Sequence, residues 1–209
     1  MITDTYLATA ESALLILDDP AVATNWDHRS ALEGFTVGGL AEHLAAQIHL
    51  VTGRLETSTD QPPITVDDHY ARAPWVNADL DAEANIAIRA RSEAEAPEGP
   101  ESLAQRTRAT VEALRTTLPA EPEDRPVWLP WVGWSLTLGD FLITRMLELA
   151  VHSDDLAYSV AAETPPLPTQ ATETVTALLT RLAIKRHGPT AVLRALTRTE
   201  RAPTTIAAI

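Results

Sequence analysis

Residues 141–155 read FLITRMLELAVHSDD, and this stretch decides how the rest of the chain is interpreted. At about 100° per residue in a helix, apolar side chains cover most of its surface, and the polar ones fall within a wedge of roughly 80°. The polar side chains in this wedge are Arg145, Glu148, His152 and Asp155. A helix that is apolar on nearly every side is typical of a buried helix, where an unpaired ion is strongly destabilising unless it binds something. A metal ion is the simplest partner for this polar stripe.

Glu148 and His152 are four residues apart, so on a helix one ion contacts both side chains. Helical phase directs one further histidine, His43, toward a bundle interior. If the helices that carry these residues are neighbours, the three side chains form a His-Glu-His set. Three protein ligands with an open fourth position are typical of catalytic zinc sites.

Other interpretations of these residues stay open at this point. Spacing alone equally favours a helical ion pair between Glu148 and His152, with His43 as an ordinary histidine at the edge of a helix. Two histidines and one carboxylate also describe the iron(II) site of non-haem oxygenases. A di-iron bundle would need a second helix with Glu and His, and a zinc protease would need a His-Glu-x-x-His motif; the sequence contains neither.

The neighbours of the candidate ligands have expected roles of their own. We expect Asp155 to accept a hydrogen bond from His152 and so to orient it. Arg145 is expected either to contact an acidic group of a substrate or to form a salt bridge with Glu148 or Asp155. In the metal-free protein an uncompensated buried carboxylate would have a raised pKa, which we predict for Glu148. The remaining histidines are predicted to be solvated: His28, His49, His69 and His187.

Composition limits the function classes. The 209 residues most simply form one domain. A net charge of −13 argues against nucleic acid or an anionic membrane as partner. The sequence shows no signal-peptide pattern and no apolar run long enough to span a bilayer, so we expect a cytoplasmic protein. It also contains no cysteine, so any sulfur chemistry needs a small-molecule thiol.

The hydrophobic periodicity predicts four long helices, at residues 3–17, 37–56 with Thr36 as N-cap, 101–118 and 138–160. Between them we predict a surface loop at 57–74, a weaker polar helix at 78–94, and either a short hairpin or an irregular cap in the proline- and tryptophan-rich segment 119–137. A shorter helical tail extends to Leu196. The predicted fold is therefore all-α, an antiparallel four-helix bundle at 1–162 with a short helical C-terminal extension at 163–209 packed on it.

Three segments together carry a resemblance to a known family: GFTVGGLAEHL at 34–44, RMLELAVHSDD at 145–155 and AVLRALTRTERAP at 191–203. They resemble the mycothiol-dependent maleylpyruvate isomerase N-terminal domain family, part of the DinB/YfiT-like superfamily of metal-binding four-helix bundles. The resemblance spans most of the chain. Residue by residue, it implies that the family's metal ligands correspond to His43, Glu148 and His152.

The resemblance also implies an activity. Members use bound zinc, or another divalent metal, to activate the thiol of mycothiol, the actinobacterial counterpart of glutathione, for isomerisation or S-transfer. The implied partners are this thiol and an electrophilic metabolite. The protein is expected to be a monomer or a homodimer. The isomerase has a further C-terminal domain with a catalytic arginine, whereas only residues 163–209 follow the bundle here. We therefore expect S-transfer or a divergent reaction, with Arg145 as an orienting catalytic residue.

Two further functions remain as alternatives to a thiol-dependent enzyme. One is a non-catalytic bundle that binds a metal or ligand. The other is a metal-dependent enzyme that activates water or the substrate without a thiol.

Overall fold

The computed structural model describes residues 1–76, 78–79 and 81–209. This part of the chain is mostly helical, with one small sheet, which confirms the predicted all-α class. Its helices are α1 (Ile2–Leu17), α2 (Pro20–Thr24), α3 (Val37–Leu55), α4 (Val66–Arg72), α5 (Glu83–Glu95), α6 (Pro100–Thr117), α7 (Leu138–Ser159), α8 (Thr169–His187) and α9 (Pro189–Thr197). The two strands are β1 (Pro126–Leu129) and β2 (Trp134–Thr137).

Helices α1, α3, α6 and α7 form a four-helix bundle. Helix α1 packs against α6 and α7, and α3 packs against the same two helices. Large apolar side chains from these helices are completely buried between them, among them Tyr6, Leu44, Leu114 and Phe141. Helices α3 and α7, which carry the candidate metal ligands, are therefore direct neighbours.

Side-chain caps define where both of these helices begin. Thr36 accepts a hydrogen bond from the Gly39 amide at 2.9 Å, which confirms the predicted N-cap of α3. Thr137 accepts one from the Asp140 amide at 3.1 Å and begins α7 in the same way. Each cap satisfies an amide that the first helical turn leaves without a partner.

The structure corrects the prediction for residues 57–74. This segment is not a continuous loop, because it contains α4, which is capped by Thr65. Helix α4 has only seven residues, too few for hydrophobic periodicity to reveal it.

In two other segments the structure gives more exact bounds than the sequence prediction. The helix predicted at 78–94 begins only at Glu83, and Leu80 lies outside the described residues. The proline-rich segment forms a hairpin, which is one of its two predicted alternatives. Strand β1 pairs antiparallel with β2, and Val127 lies opposite Leu136.

The helical tail predicted up to Leu196 is present as two helices. Helix α8 has 19 residues, as many as α3, and α9 follows it. Helix α8 packs against α1, α4 and α7, and its Val175 and Leu178 belong to the same hydrophobic core as the bundle. The division of the chain between residues 162 and 163 stays a prediction.

Glycines at the start of α3 allow other segments to approach it closely. A Cβ atom on Gly38 would lie 2.6 Å from the Trp26 ring, and one on Gly39 would overlap the Glu93 carboxylate. That carboxylate accepts a hydrogen bond from the Thr36 amide at 2.7 Å. The two glycines are thus explained by the close approach of Trp26 and of α5 to the first turn of α3.

We predict opposite effects of two glycine-to-alanine substitutions in α3. Gly39→Ala should lower the free energy of unfolding by about 1–3 kcal/mol, because the new methyl group overlaps Glu93. Gly53→Ala is the matched control, since nothing lies within 4 Å of its Cβ position. It should raise the free energy of unfolding by about 0.5–1 kcal/mol through helix propensity. Urea denaturation measures both, and a Gly39→Ala protein as stable as the parent would contradict the packing described here.

Candidate metal centre

His43 from α3 and Glu148 and His152 from α7 converge at one point. One ligand atom of each residue lies within 4.8 Å of the corresponding atoms of the other two. Glu148 Oε2 is 3.2 Å from His152 Nε2 and 3.9 Å from His43 Nε2. The imidazole rings of His43 and His152 meet edge to face, with 4.7 Å between their centroids. The structure thus brings together the three residues that the sequence singled out.

The three side chains are accessible from one side. Their exposed fractions are 15% for His43, 18% for Glu148 and 14% for His152. All three line a cleft of about 660 Å³, a volume in the range of clefts that bind small molecules. A small molecule in the cleft can therefore reach the point where the three residues converge.

Asp155 orients His152. Its Oδ2 lies 3.0 Å from His152 Nδ1, while His152 Nε2 faces Glu148. This is the contact expected from the sequence. A carboxylate on one ring nitrogen fixes the orientation of the imidazole and directs the other nitrogen to the centre.

The predicted rise in the pKa of Glu148 is wrong. Burial by itself raises this pKa, but the hydrogen bond with His152 and the nearby His43 imidazole outweigh burial and hold the pKa well below its usual value. Burial lowers the pKa of His152, yet its hydrogen bonds with Asp155 and Glu148 raise it to about 9. The metal-free centre therefore holds an imidazolium–carboxylate pair. The raised pKa was predicted for a carboxylate without a counterion, whereas the helical ion pair between Glu148 and His152, an alternative in the sequence analysis, provides one.

His43 differs from His152 in its charge. Burial lowers the pKa of His43, and this effect exceeds the opposite effect of the nearby Glu148 carboxylate. A neutral imidazole keeps a lone pair on one ring nitrogen, which is the form that ligates a metal.

Arg145 lies beside the centre but does not form the salt bridges considered in the sequence analysis. It is 8% exposed; its Nη1 donates to Gln47 Oε1, and its Nε donates to Thr144 Oγ1 at 3.1 Å. Within the described part of the chain, no carboxylate oxygen lies within 4.0 Å of its guanidinium nitrogens. Arg145 is therefore a buried cation without an ion-pair partner in that part of the chain.

Gln47 is a residue that the sequence analysis missed. It is 3% exposed, lies one turn after His43 on α3, and its Nε2 donates to the His43 carbonyl at 2.8 Å. Tyr6 Oη donates to the Gln47 carbonyl at 3.3 Å. Gln47 thus links α3 to Arg145 on α7. The available sequence signal was its position four residues after His43, which places both side chains on the same face of α3.

Two histidines predicted to be solvated are not. His69 is 1% exposed and accepts a hydrogen bond on Nδ1 from Trp134 Nε1 at 3.1 Å. His49 lies 3.0 Å from Thr110 Oγ1 and 3.1 Å from Thr107 Oγ1. Burial lowers the pKa of each to about 4, so both are neutral at pH 7. These contacts come from distant segments and leave no local sequence pattern.

Comparison with known proteins identifies one family. A family model described as "Mycothiol maleylpyruvate isomerase N-terminal domain" matches residues 7–157. The matched range covers most of the chain and includes His43, Glu148 and His152. No curated protein and no solved structure matches the chain. Across the described residues, no helix has both the length and the apolar character needed to cross a bilayer.

We predict that metal affinity at this centre falls as the pH falls. A metal on His152 must displace the proton that its raised pKa of about 9 retains in the metal-free protein. Between pH 6 and pH 8 the apparent association constant should rise about tenfold per pH unit, with release of about one proton at pH 7.5. Calorimetric zinc titrations in buffers of different ionisation enthalpy measure this release.

Asp155→Asn is the informative variant in the same titration. It removes one of the two hydrogen bonds that raise the pKa of His152, so less proton should be released at pH 7.5. Zinc binding by the parent protein without proton release at this pH would refute the paired state of Glu148 and His152.

Proposed function

Because this chain belongs to the mycothiol maleylpyruvate isomerase N-terminal domain family, we propose that it is a zinc-dependent enzyme that joins mycothiol to an electrophilic metabolite. The observation that supports this proposal most strongly is the convergence of His43, Glu148 and His152 at the base of an accessible cleft. The family match supports the identity of the thiol.

The donor set and its spacing fit zinc. Zinc takes imidazole nitrogen and carboxylate oxygen at about 2.0–2.2 Å in a tetrahedral arrangement, which puts neighbouring ligand atoms roughly 3.3 Å apart. Glu148 Oε2 and His152 Nε2 are already 3.2 Å apart, and His43 Nε2 at 3.9 Å needs only a small side-chain rotation. Three protein ligands leave a fourth position open. Bound zinc would supply the positive charge that ionises a thiol at neutral pH.

The protein side chains maintain the charge that this chemistry needs. Two neutral imidazoles add no charge, and Glu148 adds one negative charge, so a divalent centre stays positive. Asp155 holds His152 in the orientation that directs Nε2 to the centre. The chain has no cysteine, so the nucleophilic sulfur must come from the bound thiol.

The proposed reaction is attack of the thiolate on an electrophilic carbon. A carbon–sulfur bond forms, and the displaced electron pair leaves with an anionic group. On a conjugated double bond, the pair instead moves to the neighbouring carbon, which takes a proton from water. We assign Arg145 as the residue that orients an acidic group of the electrophile, because its guanidinium lines the cleft beside Glu148.

Metal content tests the ligand assignment. Protein purified without chelator should contain about one equivalent of a divalent ion, and His43→Ala, Glu148→Ala and His152→Ala should each lose most of it. The exposed His28, which lies 3.0 Å from Asn25 Oδ1, supplies the control His28→Ala. Elemental analysis measures the metal, and full retention in all three ligand variants would disprove the site.

Removal of the metal should also lower the melting temperature. A metal that binds only the folded chain stabilises it by about 2.7 kcal/mol at a hundredfold excess over the dissociation constant. The shift should grow with free zinc concentration and return when zinc is added back. An unchanged melting curve in protein shown to be metal-free would contradict this expectation.

Thiol dependence tests the activity itself. Product formation from a panel of electrophiles should rise saturably with mycothiol in zinc-loaded protein. It should fail with an analogue that carries oxygen in place of sulfur, since an alcohol ionises far less readily than a thiol. Metal occupancy without turnover would identify a binding protein. Equal turnover without thiol would identify an enzyme that activates water or the substrate.

A further inference from the structure

The cleft above the candidate metal centre has walls of a different character from its base. The base carries the three candidate ligands together with Gln47 and Arg145. The rest of the lining is predominantly apolar and comes from separate segments: Phe35 before α3, Leu50 in α3, Trp75 after α4, Ile88 in α5 and Trp131 in the hairpin turn. A smaller number of polar side chains, most of them on α5, also line the cleft. The cleft therefore combines a polar base with hydrophobic walls.

The apolar walls do not suit a sugar-bearing thiol. Hydroxyl groups that enter an apolar environment without hydrogen bonds are destabilised, so a sugar needs polar partners around it. The aromatic and aliphatic walls provide few of these. At about 660 Å³ the cleft is nevertheless large enough for a small organic molecule. This part of the cleft fits the second reactant better than the thiol.

Arg145 adds a charge requirement at the base. Its hydrogen bonds with protein groups use Nη1 and Nε, and within the described residues no hydrogen bond uses Nη2. A buried guanidinium without a carboxylate partner is unfavourable, and its planar set of donors matches a carboxylate in two-point contact. Arg145 lies three residues before Glu148, on the same face of α7. A carboxylate on Arg145 therefore lies next to the metal centre.

We propose that the electrophilic substrate is an amphipathic organic acid whose carboxylate contacts Arg145 and whose apolar body occupies the cleft walls. This assignment rests on the proposed function and names the substrate class of the same site. The two contacts hold a carbon near the acid group over the candidate metal centre. A small acid that is polar throughout would leave the walls of the cleft without contacts.

The test uses the full chain freed of metal by a chelator, so that carboxylates cannot ligate zinc. Straight-chain carboxylates of four to ten carbons and the matching primary amides are titrated, with tryptophan fluorescence as the signal, since Trp75 and Trp131 line the cleft. Each added methylene should tighten binding about three- to fourfold. The acid should bind at least about tenfold more tightly than its amide, as expected for a charge-assisted hydrogen bond.

Variants separate the two contacts. Arg145→Met should remove the preference for acid over amide and keep the dependence on chain length. Ala87→Phe should weaken binding of the longer chains about tenfold or more, because Ala87 lines the cleft on α5. Ala90 is exposed on the same helix and does not line the cleft. The matched control, Ala90→Phe, should therefore bind these acids as tightly as the parent does. The Ala87 pair and the amide series keep the test decisive even if Arg145→Met does not fold.

The outcomes distinguish this inference from the proposed function. Affinity that is independent of chain length, or equal for acid and amide, overturns the substrate class, and normal zinc binding in that case leaves the proposed function in place. Dependence on chain length and on Arg145 supports the inference. If the protein shows this dependence but fails to bind zinc, the proposed thiol transfer is refuted. The inference that the cleft binds amphipathic acids then still stands.

Discussion

The ion pair between Glu148 and His152 is the interaction on which the interior of this bundle depends. Helix α7 buries apolar side chains on most of its surface, so a carboxylate inside it needs a counterion. In the metal-free chain the counterion is the His152 imidazolium, held by Asp155 from its other side. Removal of His152 leaves the Glu148 carboxylate without this counterion, so His152→Ala should lose both metal and stability. For this reason the metal content of each variant has to be compared with its folding.

The cleft follows from the way in which α5 is attached. The glycines at the start of α3 allow Glu93 to bind the Thr36 amide, and this contact docks α5 mainly on α3. Helix α7 packs on another side of α3. The space between α5 and α7 is left as the cleft, with the candidate ligands at its base. The glycines at the start of α3 therefore act by positioning a wall of the cleft.

The features that the sequence predicted well are those encoded by local periodicity. The four bundle helices and the shared face of Glu148 and His152 follow from the helical repeat, and the convergence of His43 with them follows once α3 and α7 are neighbours. Helix α4 was missed because it has only seven residues, too few for a hydrophobic period to stand out. The contact between Gln47 and Arg145 joins two helices that folding brings together, and no local pattern records it. The partners of His152 are local, and its protonated state could have been inferred from the ion-pair alternative.

The charges of the site also distinguish how its two reactants would bind. In the metal-free chain, the positive charge of His152 balances the negative charge of Glu148, whereas Arg145 has no ion-pair partner among the described residues. A divalent ion that replaces the His152 proton raises the charge of the centre by one unit, and a thiolate offsets this unit. The carboxylate of an organic acid is balanced separately, by Arg145. Thiol binding should therefore require the metal, whereas acid binding should not, because the two anions are neutralised by different cations.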